Sequence, residues 1–138
     1  MPRRSDCPIS NVLDFVGDKW SLLILRDLIF FNKHSYSEFL NSPEKMATNI
    51  LSSRLEKLEK GGLIAKHVDM NDKRKKIYVL TQLGKDMLPI MLEMVIWSSK
   101  HDPNINTPEQ LIKRAKNDRE NLINDLLVRT ESGLTHKK

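Results

Sequence analysis

Hydrophobic positions along this chain fall into blocks of different spacing, and polar, glycine or proline residues separate the blocks. Ile9, Val12, Leu13 and Val16 recur at helical intervals between Pro8 and Gly17, which predicts a short helix with proline in its first turn and glycine at its end. Residues 20–31 are denser, with Leu22, Leu23, Ile24, Leu25, Leu28, Ile29 and Phe30, and predict a helix buried in the core. After the turn at Asn32-Lys33-His34, Ser35 opens a short helix through Leu40, with Glu38 three residues on as a capping-box partner. Asn41-Ser42-Pro43 breaks it. Leu51, Leu55 and Leu58 form the inward stripe of a helix over 48–60 that Gly61-Gly62 stops. At 100° per residue, Asn49, Ser52, Ser53, Glu56, Lys57 and Lys60 point the other way.

The period then changes. Residues 63–68 and 76–81 read as strands, joined by the polar run Asp69-Met70-Asn71-Asp72-Lys73-Arg74-Lys75. Two short helices joined by a tight turn, followed at once by a basic hairpin, give the order of a winged helix. From Thr81 a long helix runs to about residue 100, with one stripe of Leu83, Met87, Ile90, Met94 and Trp97 and a roughly opposite one of Leu88, Leu92 and Ile96. A surface helix in a small monomer needs one buried stripe, so the second predicts burial against a partner subunit. Pro89 inside this pattern must kink or split the helix. Thr107-Pro108-Glu109-Gln110 supplies cap, first-turn proline and capping-box glutamine for a last helix to about residue 129, lined by Leu111, Ala115, Leu122 and Leu126. The tail over 132–138 is expected to fray.

Composition narrows the class. The 138 residues suffice for one domain, and 39% hydrophobic with 30% charged residues is the balance of a soluble globular protein. No window reaches the length of a membrane span, and no signal peptide opens the chain. The single cysteine, Cys7, excludes an intramolecular disulfide framework and fits a reducing cytoplasm. The net charge is +5, and residues 41–80 hold nine basic against five acidic side chains, so most of the excess sits in the helix-turn-helix and hairpin. A concentrated basic patch attracts a polyanion because each phosphate it neutralises releases a counterion.

The chemistry-bearing residues follow from this layout. Short polar side chains near the start of the helix over 48–60 allow close approach to base edges in a major groove, which makes Thr48, Asn49, Ser52 and Ser53 the base-reading candidates, with Asn49 suited to adenine. Arg54, on the flank of the apolar stripe, suits a phosphate. Ser35, Tyr36 and Lys57 are candidates for further backbone contacts, and in the hairpin Lys73, Arg74, Lys75 and Lys76 would straddle phosphates, Arg74 being best placed for a minor groove. Cys7 sits just ahead of the first helix, whose N–H groups and dipole favour a thiolate, with Arg3 and Arg4 acting alike and Asp6 against. His34, His67, His101 and His136 have no metal-ligand spacing, and no phosphate-binding glycine loop, HExxH or GxSxG occurs, so neither an enzyme, a metal nor a cofactor is expected.

Several words in the chain are similar to those of the HxlR-type winged-helix transcriptional regulators, relatives of the MarR group. They are Cys7-Pro8-Ile9, Gly17-Asp18-Lys19-Trp20 running on to Arg26, Tyr36-Ser37-Glu38-Phe39-Leu40, the stretch 51–64 through Gly61-Gly62, Tyr78-Val79-Leu80-Thr81, Gly84, Leu88-Pro89 and Trp97. The resemblance implies a cytoplasmic homodimer that binds double-stranded DNA, with terminal helices building the dimer. Some members use a cysteine at this position to detect oxidants or electrophiles, which makes Cys7 a candidate sensor, the other reading being a small residue that fills the start of the helix. Two positions depart from the pattern: Ala47 replaces the usual serine opening the recognition helix, so Thr48 is expected to cap one residue later, and Ser35-Tyr36 replaces an arginine or aromatic.

The resulting expectation is an α+β winged helix-turn-helix with added N- and C-terminal helices forming a dimer interface. Residues 7–100 would carry the DNA-binding domain with its long dimerisation helix, and residues 101–138 a C-terminal helix and tail of the same unit. Ile9, Leu88, Leu92, Ile96, Trp97, Leu122 and Leu126 are the expected interface. The function would be that of a repressor on a pseudo-palindromic operator, answering to an oxidant or a small-molecule effector. Two alternatives are a winged-helix docking module without sequence-specific DNA binding, which would not need the basic hairpin, and a binder of structured RNA.

Overall fold

The computed structural model describes residues 3–136, with side chains through residue 132. In chain order the elements are α1 (Pro8–Val16), α2 (Ser21–Ile29), α3 (Tyr36–Leu40), α4 (Thr48–Lys60), β1 (Ile64–Val68), β2 (Lys76–Leu80), α5 (Gln82–Lys85), α6 (Leu88–His101), α7 (Glu109–Asn117) and α8 (Arg119–His136). The strands pair antiparallel with Ile64 opposite Leu80 and Val68 opposite Lys76. This helical body with a small two-stranded sheet is a winged helix-turn-helix.

α2 is the centre of the core. Ile24, Leu25, Leu28 and Ile29 are fully buried, packed among Phe39 of α3, Leu51, Leu55 and Leu58 of α4, and Leu88 and Leu92 of α6. Burying side chains of this size contributes roughly 1.5–3 kcal/mol each. The short α3 survives because both halves of its capping box form: Ser35 Oγ accepts from the Glu38 N–H, and Glu38 reaches back to the Ser35 N–H. At the other end of α4, Gly62 takes φ +82°, a left-handed conformation that suits glycine and turns the chain into β1.

Several boundaries are placed differently from, or more sharply than, the sequence reading. Ala47, in extended conformation, occupies the N-cap of α4 and Thr48 is its first helical residue, so Thr48 does not cap. The helix expected over 81–100 is split, with Thr81 capping α5 and Pro89 in the first turn of α6, where a missing N–H breaks no helical bond. The last helix is also split. Asp118 closes α7, and its carboxylate accepts from Arg114 and Asn121 while its carbonyl accepts the Leu122 N–H of α8. The cap of α7 is Pro108, not Thr107, whose hydroxyl instead accepts from Ser99. α8 runs to His136, past the point where fraying was expected; Lys137 and Lys138 lie outside the described residues.

The larger correction concerns the expected interface. Leu88 and Leu92 are fully buried and Leu122 and Leu126 nearly so, all within the protomer's own core, and Ile96 packs against it. α7 and α8 fold back so that α8 lies on α2 and α7 on α6. Thr130 donates to the Leu28 carbonyl and Arg129 to those of Ile29 and Phe30, closing the C-terminal end of α2. The C-terminal helices thus cover the stripe that had been given to a second subunit. Exposed instead are Leu83, Ile90, Met94 and Trp97, the last at 66%, together with Ile9 and Leu13 of α1. Ile9 and Trp97 keep their expected exposure.

Candidate nucleic-acid interface

Thr48, Asn49, Ser52 and Ser53 are all exposed along the first turns of α4. α3 and α4 are tied at this end by Tyr36, whose hydroxyl donates to the Thr48 carbonyl (3.1 Å) and accepts from Ser52 Oγ (3.3 Å). Tyr36 therefore fixes the start of the reading helix. The tie has a cost to the candidate set, since Ser52 shares its hydroxyl with Tyr36.

The hairpin joins the same surface. An open groove lined by Ser35, Tyr36, Ser37, Asp72, Arg74, Lys75, Lys76 and Tyr78 runs from the start of α3 to the basic strand. A second groove on the other side of Tyr36 and Tyr78 borders Ser52, Glu56, Glu59 and Lys66. The link is His34, fully buried between the turn and β2. The Tyr78 N–H donates to the His34 carbonyl (2.7 Å), and the imidazole nitrogens lie 3.1 Å from the Tyr78 carbonyl and 2.9 Å from Asn32 Oδ1. The Tyr78 ring packs on Phe39 with centroids 6.0 Å apart, and burial pushes its phenol up from the usual value. The base of the wing is held to the helix-turn-helix by these main-chain and ring contacts at Tyr78.

The tip itself is polar. Arg74 is 93% exposed and its Nε lies 3.4 Å from Asp72, whose carboxylate also accepts the Arg74 N–H and shapes the turn. Among the described residues no carboxylate lies within ion-pair distance of Lys73, Lys75 or Lys76. These are cations available to phosphate.

Ser35 is the clearest departure from the expected contacts. It is 2% exposed and its hydroxyl is used in the capping box, so burial removes it as a DNA-backbone ligand. Arg54 and Lys57 are also engaged: Arg54 Nε donates to Asp18 Oδ2 (2.9 Å) and Lys57 Nζ to Asp18 Oδ1 (3.2 Å). Sequence reasoning did not single out Asp18. The same carboxylate accepts the Trp20 and Ser21 N–H groups and the Ser21 hydroxyl at the start of α2. Burial pushes the Asp18 carboxyl up, but the Ser21 hydroxyl, the Trp20 N–H, the Lys57 ammonium and the Ser21 N–H outweigh it and hold it well below the usual carboxylate range. An aspartate two residues ahead of an apolar helix was a readable capping signal; its reach to α4 was not.

Cys7 is exposed at the N-cap of α1. The arginines thought to act on it are paired with carboxylates, Arg4 with Asp14 at 2.9 Å and Arg3 with Asp6 at 3.5 Å. Among the described residues there is no group of three or more His, Cys, Asp or Glu side chains that could hold a metal ion, and no helix is long and apolar enough to cross a membrane.

The family model for the HxlR-like helix-turn-helix matches residues 15–106, which takes in α2 through α6 and so the whole reading surface. The chain belongs to the HxlR-like helix-turn-helix family. It is 32% identical over 103 residues to YdeP of Bacillus subtilis, an uncharacterized HTH-type transcriptional regulator, across 75% of this chain and 80% of YdeP. Among solved structures it is similar to PA1607, described as a candidate transcription factor (29% identity, TM-score 0.69, 76% of this chain and 73% of PA1607). It is also similar to HypR, a redox regulator solved in its oxidized form (26% identity, TM-score 0.61, 73% of this chain and all of HypR). This HxlR-like chain is a transcriptional regulator of the helix-turn-helix type, and membership implies DNA binding, typically by a dimer.

Proposed function

We propose that this regulator is a homodimeric repressor that reads a pseudo-palindromic operator. One observation carries the reading: Tyr36 holds the exposed polar start of α4 and lines the groove whose other wall is the basic wing. A helix end that can enter a major groove and cations that can grip the adjoining backbone thus share one continuous face. Thr48, Asn49, Ser52 and Ser53 face the bases, and Lys73, Arg74, Lys75 and Lys76 face the phosphates. In a two-fold dimer the reading helices would stand roughly 34 Å apart, one helical turn of DNA. Residues 7–100 would form the DNA-binding unit and residues 101–138 its C-terminal cover. The exposed apolar residues Ile9, Leu13, Leu83, Ile90, Met94 and Trp97 supply the dimer face. Cys7, exposed at the start of α1 two residues from Ile9, is the oxidant input, either through an intersubunit disulfide or through a mixed disulfide with a small thiol. Similarity to the redox regulator HypR supports that input, and a small molecule at the dimer face is the other candidate effector.

The test begins with duplexes enriched by the protein from a random pool and follows binding by fluorescence anisotropy. Asn49→Ala relaxes preference among the enriched duplexes, whereas Arg74→Ala weakens all duplexes alike. Mild oxidant releases the DNA, and Cys7→Ser abolishes that response. Enrichment of no sequence, with no binding to any duplex at low salt, refutes the DNA reader and favours the docking module.

A further inference from the structure

The reading helix carries three cations near its DNA-facing side, and each sits on a carboxylate. Arg54 and Lys57 share Asp18, and Lys60 Nζ lies 2.7 Å from Glu56. Glu59 in turn lies 3.8 Å from Lys66 of β1. The lysines of the wing have no such partner among the described residues. Apart from Arg74, which lies beside Asp72, the positive charge of the wing is therefore free while that of the helix is neutralised, although the sequence places basic residues on both.

Asp18 differs from an ordinary surface partner. Its carboxylate is fixed from behind by two backbone N–H groups and the Ser21 hydroxyl, so it waits in place without losing rotamer freedom. Arg54 is further occupied by Nη1 donating to Ser53 Oγ at 3.0 Å. The side chains of Arg54, Lys57 and Asp18 are all less than about one-third exposed, which limits screening by salt.

We propose that Asp18 tunes the protein's affinity for DNA, its carboxylate withholding Arg54 and Lys57 from DNA phosphates. The inference rests on the DNA-reading function proposed above. Phosphate contacts carry no sequence information, so each cation taken from them lowers binding to every duplex, random or operator, by a similar factor. Asp18 thereby lowers the sequence-independent part of the affinity, and the wing supplies the remaining backbone attraction.

The experiment measures the slope of log K against log salt on one short mixed-sequence duplex, where no operator is needed. Asp18→Asn and Asp18→Ser both remove the charge and keep an acceptor for the start of α2. Each is expected to steepen the slope by about 0.9 to 1.8, corresponding to one or two new phosphate contacts. Affinity at low salt rises several-fold on random and enriched duplexes alike. Should both variants fail to fold, substitutions in the native Asp18 background decide: Lys57→Gln leaves the slope unchanged while Lys73→Gln flattens it by about 0.9. A folded Asp18 variant with an unchanged or shallower slope overturns the proposal, as does Lys57→Gln behaving like Lys73→Gln. Failure of the native protein to bind any duplex at low salt overturns the DNA-reading function and this inference with it; native binding combined with either of the other results overturns the inference alone.

Discussion

The proposed dimer face on the exposed stripe of α6 has consequences that a pair of substitutions separates. Leu92 is fully buried inside the protomer, so Leu92→Ala should lower folding stability by roughly 2–5 kcal/mol, the range for leucine truncations that leave a cavity. With a urea m-value of about 1–3 kcal/mol per molar, the unfolding midpoint moves down by roughly 1–2 M. Trp97 is 66% exposed, and its ring lies beside that of His101, with centroids 5.1 Å apart. A tryptophan buries 150–250 Å², of which about 100–150 Å² is still exposed here and is lost to water only on association. At ~25 cal/mol per Å² that is about 3 kcal/mol per protomer, and a two-fold interface contains the residue twice. Area does not convert fully into affinity, so Trp97→Ser should raise the dimer Kd by at least about two decades while barely moving the protomer's urea midpoint. Sedimentation equilibrium over a concentration series measures the first quantity and urea titration by circular dichroism the second. Trp97→Ser with unchanged association, or Leu92→Ala that dissociates the dimer without shifting the midpoint, would return the interface to the Leu88–Leu92 stripe.

Two further substitutions test packing and charge. Gly84 is buried against the backbone of Leu63, just ahead of β1, and a Cβ there would clash with the Leu63 carbonyl oxygen, so Gly84→Ala should cost about 1–3 kcal/mol or more by urea titration; a neutral result would mean that α5 shifts freely away from this segment. The Asp18 carboxyl titrates lower in the folded chain than near 3.8, its ordinary value, so its stabilisation is fully present above that value and is lost as pH falls toward the folded one. Asp18→Asn should therefore be less stable than the native chain at neutral pH, with the gap closing below about pH 4. A gap that stays constant down to about pH 2.5 would show that lost packing, not lost charge, is responsible.

Much of this protein was legible from local chemistry. The capping box at Ser35 and Glu38, the stop at Gly61-Gly62, the polar hairpin and the stripe Leu51, Leu55 and Leu58 are short-range patterns, and each element they predict is present. The split at Pro89 was one of two outcomes the sequence left open, and the missing N–H explains the choice. The break at Asp118 was not read, because Asp118 has the same residue type in a cap as on an exposed helix face.

Three things waited for the tertiary structure, all for one reason: they depend on which distant segments meet. Hydrophobic periodicity shows that a helix has two apolar stripes and not which of them its own chain will cover; the fold-back of α7 and α8 decided that. Charge counting located a basic segment and could not see that Asp18, 36 residues from Arg54, cancels part of it. Capping rules identified Ser35 as a helix start without showing that the same bond buries it away from solvent. The sequence by itself determined the elements and the polarity of their faces, because those follow from neighbours along the chain; the partition of faces between core, partner and DNA follows from neighbours in space.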